Sequence, residues 1–219
     1  MLARTLIAEF IGTFFLVLVI AMTAFDPGLP AGLAPIAIAS VLAAMIFALG
    51  HVSGAYFNPV VSLVMTVGGV CPRSHLLPLV AIQIVAALLA AWLAFWLCSI
   101  GHGDGMTITP ISLDPVSAVL LETLFTFAMV LVILNVGVAK ALESNQFSGL
   151  AIGLVVLAGA YVAGPISGGA FNPAVTTALT TTGILGWGDL WLHLIGQLAG
   201  GLLALAVFVA GERLGASEA

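Results

Sequence analysis

The chain has 219 residues, of which 62% are hydrophobic and 6% charged, with a formal net charge of −5. A soluble domain carries about 25% charged residues, so this composition, with a mean hydropathy of +1.29, excludes a soluble surface and describes an integral membrane protein. Four Lys and Arg in the whole chain leave no basic patch to follow a phosphate backbone, which excludes a nucleic-acid partner.

In chain order, apolar stretches lie near residues 3–24, 33–50, 76–99, 116–138, 148–164 and 190–210. The shorter ones approach the lower limit of about 17 residues for a span, and all six read as transmembrane helices. The first exceeds the core of a signal peptide, about 7–15 residues, and a matching segment recurs later, so it reads as a retained helix. Two further segments, 51–70 and 165–183, are too interrupted to span and too apolar for a solvated loop. Cys71 and Cys98 show no metal-ligand spacing and read as small apolar residues. With no nucleophile–base pair, metal cluster or nucleotide loop, neither enzyme chemistry nor a cofactor is expected.

The two odd segments belong to a repeat. "HVSGAYFNPVVS" from His51 matches "PISGGAFNPAVT" from Pro165 at an offset of 114 residues. "AEFIGTFFLVLV" from Ala8 matches "LETLFTFAMVLV" from Leu121 at 113, and Gln83 meets Gln197 at 114. Three spans per half is an odd number, so the second half enters the membrane from the opposite side. The expected fold is all-α: six transmembrane helices plus two re-entrant half-helices. Residues 1–219 form one membrane domain with inverted repeats of about 1–100 and 115–219, a plan that puts the site at the midplane between halves.

Charge supports this topology. Arg4, Arg73, Lys140 and Arg213 fall on one side of the six-span scheme, which the positive-inside rule makes cytoplasmic, with both termini. The other side carries Asp26, Asp104, Asp114 and Asp189 and neither Lys nor Arg. A short chain without a targeting extension suits a bacterial inner membrane.

Asn is a good N-cap, and Pro suits the first helical position because its missing N–H costs nothing there. Asn58-Pro59-Val60 and Asn172-Pro173-Ala174 therefore each start a helix of about ten residues, half the length of a ~30 Å hydrocarbon core. Inverted symmetry makes their N-termini meet near the midplane, each carrying roughly +0.5 of a charge. Each Asn oxygen caps its own helix, and the amide NH₂ is left to donate into the lumen. Two donors in a positive zone suit the oxygen of a neutral solute and oppose cations and protons.

These paired Asn-Pro-Val and Asn-Pro-Ala tripeptides, each preceded by Ser-Gly and Phe within the inverted repeat, resemble the aquaporin, or major intrinsic protein, family over nearly the whole chain. The resemblance implies a pore in each subunit, a homotetramer in the lipid bilayer, and passage of small neutral solutes. It also implies a four-residue outer filter that usually includes an Arg directly after the second tripeptide. Here that residue is Val175, and counting from the Asn residues puts the other three positions at Ile38, Ala160 and Gly169. The set has no charge and no aromatic ring. Either the constriction is wide and apolar, or Phe47, Tyr161 or an outer-loop side chain fills the space. Water, ammonia, hydrogen peroxide, glycerol and urea are the candidate solutes.

Glu9 and Glu122 sit inside spans at repeat-related positions. They read either as a proton relay or as acceptors for the backbone N–H groups of a re-entrant loop, the role that the resemblance implies. Gln83 and Gln197 read as solute ligands or as interhelical and loop hydrogen bonds. His51 opens the first loop, as a pH gate or as a donor to nearby backbone. His75, His102 and His193 receive no role. Against the channel stand a proton-linked secondary transporter using Glu9 and Glu122, and a non-conducting scaffold.

Overall fold

In a bilayer the backbone must satisfy its own polar groups, and an α-helix does so within one segment. The computed structural model describes residues 2–25, 30, 32–102, 108 and 110–218, and the regular structure among them is helical. The elements are α1 (Leu2–Phe25), α2 (Ala34–Ser53), α3 (Pro59–Val67), α4 (Leu76–His102), α5 (Pro115–Gly137), α6 (Ser148–Ser167), α7 (Pro173–Thr181) and α8 (Leu190–Glu218). Six of them are long and apolar enough to cross a membrane. The other two, α3 and α7, have nine residues each, which is about 14 Å, half of the hydrocarbon thickness.

The order long, long, short, long occurs twice, as the repeat requires. The boundaries differ from the sequence reading in one informative way. Helices α2 and α6 run on to Ser53 and Ser167, the second straight through Pro165. Each stops at a glycine in the left-handed region, Gly54 (φ 89°) and Gly168 (φ 86°), whose N–H returns to the carbonyl of Gly50 or Gly164. The loops that follow are therefore very short. Beyond residue 210, α8 continues through Glu212 and Arg213, because the helix propensity of Glu, Arg, Leu and Ala needs no apolar surroundings.

Asp114 caps α5 by accepting from the Ser117 N–H at 2.8 Å. Hydrogen bonding from Ser117, side chain first and backbone second, holds the Asp114 carboxyl below its usual range. Asp26 and Asp104, which the charge argument used, lie outside the described residues.

Within each half the first helix packs on the last, α1 on α4 and α5 on α8, while α2 against α6 joins the halves. The α4 face toward α1 is cut back to alanine: Ala86, Ala87, Ala90, Ala91 and Ala94 are fully buried. Small residues allow close approach where lipid provides no hydrophobic drive between helices. The outer faces carry the bulk instead: Trp92 and Trp96 of α4 and Trp191 of α8 are each more than half exposed.

Both half-helices are wedged between long helices of the two halves, α3 between α4 and α8, α7 between the same pair, and they also touch each other. The phenylalanine before each Asn anchors them. Phe57 is fully buried against α1 at Gly12, where any Cβ would fall on the ring. The residue at the Gly12 position of the second half is Phe125, so Phe171 cannot lodge there. Phe171 stacks on Phe125 at a centroid distance of 5.5 Å. It finds its glycine on α6 instead, where a Cβ on Gly159 would lie 2.7 Å from the ring. The symmetry is thus kept in the backbone while the packing is solved separately in each half.

Candidate functional site

The two half-helix N-termini meet, and each is capped by its own asparagine. The Asn58 Oδ1 accepts from the Val60 N–H, and the Asn172 Oδ1 from the Ala174 N–H, both at 2.9 Å. Both asparagines have extended backbone, with φ −156°. Here the structure refines the sequence reading, which left both hydrogens of each amide NH₂ to the lumen. The Asn58 Nδ2 donates to the Phe171 carbonyl at 2.9 Å, and the Asn172 Nδ2 donates to the Phe57 carbonyl at 2.8 Å. Each asparagine therefore straps the opposite loop, and one amide hydrogen per residue remains free of these bonds.

Behind each loop stands a carboxylate. Glu9 accepts from the Ser53 hydroxyl at 2.6 Å, the Tyr56 N–H at 2.9 Å, the Phe57 N–H at 2.7 Å and the Gln83 Nε2 at 2.8 Å. Glu122 accepts from the Ser167 hydroxyl at 2.9 Å, the Ala170 N–H at 3.0 Å, the Phe171 N–H at 2.8 Å and the Gln197 Nε2 at 2.8 Å. Both side chains are fully buried. A buried carboxylate in a span is costly unless paired or hydrogen-bonded, and here all four acceptor sites of each are taken. The Gln83 amide also donates to the Ser62 hydroxyl, and the Gln197 amide to Thr176 Oγ1, both at 2.9 Å. Each glutamine thereby ties a carboxylate to a half-helix.

The carboxylates also aim the loop. In a trans peptide the N–H of one residue points opposite to the carbonyl of the residue before it. With the N–H groups of Tyr56 and Phe57 turned to Glu9, the carbonyls of Ala55 and Tyr56 face away from it. The carbonyls of Gly169 and Ala170 face away from Glu122 for the same reason. Holding this course takes strain: Ala55, Phe57 and Phe171 have φ of 52°, 47° and 48°, unfavourable for residues with a Cβ.

A cavity of about 550 Å³ runs along these loops, with walls from both ends of the helix bundle. Residues 54–58 and 168–172 form its polar side, and apolar side chains of α1, α2, α5 and α6 the other. Asn58 and Asn172 are the members of the two tripeptides that line it. Pro59, Val60, Pro173 and Ala174 lie behind, supplying helix starts and capping N–H groups. Neither carboxylate and neither glutamine belongs to the wall.

The profile described as "Major intrinsic protein" matches residues 1–209. The chain belongs to the major intrinsic protein family. Among curated proteins, Aquaporin NIP3-1 of Arabidopsis thaliana is 33% identical over 91% of this chain and 64% of its own length. Aquaporin NIP1-1 of Oryza sativa subsp. japonica is 31% identical over 71% of this chain and 54% of its own length. Aquaporin Z of Rhodopseudomonas palustris is 29% identical over 92% and 90%. The chain thus spans less than two thirds of the two plant relatives. The fold is also that of the X-ray structure of the aquaglyceroporin from Plasmodium falciparum, with a TM-score of 0.81 at 19% identity over 95% of this chain and 96% of that one.

In this major intrinsic protein all four filter positions taken from the sequence, Ile38, Ala160, Gly169 and Val175, lie on the cavity wall. Gly169 is constrained twice: its φ is +59°, and a Cβ would meet the Gly164 backbone nitrogen at 3.1 Å. It can offer the cavity only backbone. Of the side chains weighed as fillers, Tyr161 is not on the wall, and its hydroxyl donates to the Gly32 carbonyl at 2.5 Å. Phe47 is on the wall, but beside Gly149 at the first turn of α6, the end away from the filter. Outer-loop residues Ile111 and Ile184 reach the wall and are themselves apolar. Residues 26–29, 31, 103–107 and 109 of the outer loops lie outside the described residues.

His51 must be reassigned. Because α2 continues to Ser53, His51 sits in its last turn and faces outward, exposed, and its ring makes no hydrogen bond to the described residues. It neither supports the loop nor lines the cavity. The histidine that does touch a re-entrant loop is His193, fully buried on α8, with Nε2 2.7 Å from the Ser167 carbonyl. Its spacing of four from Gln197 put both on one helical face and was the available signal. It was masked because the repeat-related position holds Leu79.

Proposed function

We propose that this major intrinsic protein is a passive channel for water and other small neutral solutes, with a wide, apolar outer filter. The observation that carries it is the convergence of two capped half-helix ends, each presenting an asparagine, on one cavity whose filter positions hold only small or aliphatic residues. The dipole ends oppose cations and protons, while the free amide hydrogens and the turned-out carbonyls replace a solute's hydration. The aquaporin names of its relatives support water as one permeant. Without an Arg at Val175 the filter offers neither a fixed charge nor a long side chain, so glycerol, urea, ammonia and hydrogen peroxide belong to the same class. A carrier driven through Glu9 and Glu122 fits less well, since both carboxylates are saturated with donors and stand behind the wall.

The whole chain acts as one channel unit, with repeats of about 1–100 and 115–219. In this reading Asn58 and Asn172 are the central solute donors, Ile38, Ala160, Gly169 and Val175 the filter, and Glu9, Glu122, Gln83 and Gln197 the loop supports. The distribution of Arg4, Arg73, Lys140 and Arg213 supports an orientation with both termini in the cytoplasm. Homotetrameric assembly follows from the family resemblance.

Stopped-flow light scattering on proteoliposomes tests the proposal with water, glycerol, urea and an ammonia gradient. The wild type conducts above empty vesicles, and Val175→Arg loses the larger solutes more than water. Vesicles no faster than empty ones with every solute would overturn the channel. Equal loss of all solutes in the Arg variant would overturn the wide filter.

A further inference from the structure

The two halves differ in what meets the last carbonyl of the helix before the re-entrant loop. Ser167 is the last residue of α6, so its carbonyl has no partner within the helix. Ser167 is fully buried, and an unmet carbonyl there costs free energy. The His193 ring, also fully buried, meets it at 2.7 Å through Nε2. A carbonyl only accepts, and of the two ring nitrogens Nε2 makes the shorter contact, so the donor role is assigned to Nε2–H. The other ring nitrogen, Nδ1, lies 3.2 Å from the carbonyl of Asp189, the residue just before α8. At the repeat-related position of the first half α4 carries Leu79, which has no side-chain donor.

The same serine stands two residues before the filter glycine. Its hydroxyl donates to Glu122 at 2.9 Å and accepts from the Gly169 N–H at 3.1 Å. One residue therefore couples α8, the carboxylate and the filter backbone. Gly168 and Gly169 both have positive φ, 86° and 59°, so no Cβ stiffens this stretch and its course depends on what holds its start.

We propose that His193 is a positioning residue for the filter: by donating from Nε2 to the Ser167 carbonyl it fixes the course of residues 167–169 and so sets the size selectivity at Gly169. It touches no solute. The first loop lacks this latch: Ser53 is only half-buried, and Leu79 offers no donor. The inference rests on the channel reading for its effect on selectivity, but not for its effect on the loop.

The test uses full-length protein with three substitutions. His193→Leu installs the residue found at position 79. His193→Gln keeps a donor near the place of Nε2, and His193→Asn keeps an amide that reaches only as far as Nδ1. Hydrogen–deuterium exchange of the peptide covering 165–172 reads the loop, and the glycerol-to-water permeability ratio of proteoliposomes reads the filter. The Leu and Asn variants should exchange about fivefold faster at Gly169, the worth of one ordinary hydrogen bond, and shift the ratio toward glycerol. The Gln variant should match the wild type in both. A ratio does not depend on how much protein folds, so a merely stabilising histidine would lower yield and leave it unchanged. An unaltered ratio and exchange rate in the Leu variant, or equal changes in Leu and Gln, would overturn the latch. Should wild-type vesicles conduct nothing, the channel reading falls, and the exchange data still decide whether His193 holds the loop.

Discussion

Replacing Glu122 with Gln exchanges two acceptor oxygens for one oxygen and one NH₂, with almost no change in shape. Four donors converge on this carboxylate, two on each oxygen: Ser167 and Ala170 on one, Phe171 and Gln197 on the other. Turned either way, the new amide strands one backbone N–H, that of Ala170 or of Phe171, because the Ser167 hydroxyl and the Gln197 amide can each turn to accept from an NH₂. A buried donor left unmet costs about 1–3 kcal/mol. At roughly 2–4 °C per kcal/mol for a chain of this size, the unfolding midpoint should drop by about 5 °C. Thermal unfolding in detergent, followed by tryptophan fluorescence and by size-exclusion recovery, measures it. Gln197 bonds the same side chain, so Glu122→Gln combined with Gln197→Leu should be less damaged than the two changes summed. A midpoint within about 1 °C of wild type, with normal permeation, would refute the idea that this carboxylate holds the loop. Intact folding with loss of a pH-driven uptake would instead favour the carrier.

Asn172→Ala removes a cap and a strap, worth about 1 kcal/mol each, and Asn58→Ala does the same. Because each amide holds the loop that carries the other, the double variant should lose less than the sum in denaturant titrations; additivity within about 0.3 kcal/mol would show independent straps. Gly12→Ala places a methyl on the buried Phe57 ring and should cost about 1–3 kcal/mol in the same titrations. Adding Phe57→Leu should recover part of that loss. The Asp114 carboxyl is held below its usual range, so its cap contributes at neutral pH and is lost as pH falls through that lowered value. Exchange at the Ser117 N–H should accelerate on acidification relative to its intrinsic rate, and Asp114→Asn should flatten that dependence.

The sequence made legible whatever the repeat writes twice. The Asn-Pro caps, both carboxylates and both glutamines could be named because each has a counterpart about 114 residues away, and local helix-start chemistry explains the half-helices without tertiary knowledge. Interactions that cross the repeat were hidden. Nothing in the text of residues 55–58 says that the Asn58 amide will bond residue 171. His51 was misread because the sequence places it beside the loop, while two more residues of helix turn its ring outward. His193 was passed over for the opposite reason, having no twin. The proposed filter positions came from counting, and the count could not say that the Gly164 backbone would crowd any Cβ at position 169.

The crossed asparagine straps set an order for assembly. Every partner of Glu9 lies within the first 83 residues, so that cluster needs nothing from the second half. The Asn58 amide and the Phe57 carbonyl do: their partners are Phe171 and Asn172. Only the arrival of the second loop can close both bonds, and it closes them together. The meeting of the two half-helices is therefore the one part of the site that neither half can build alone.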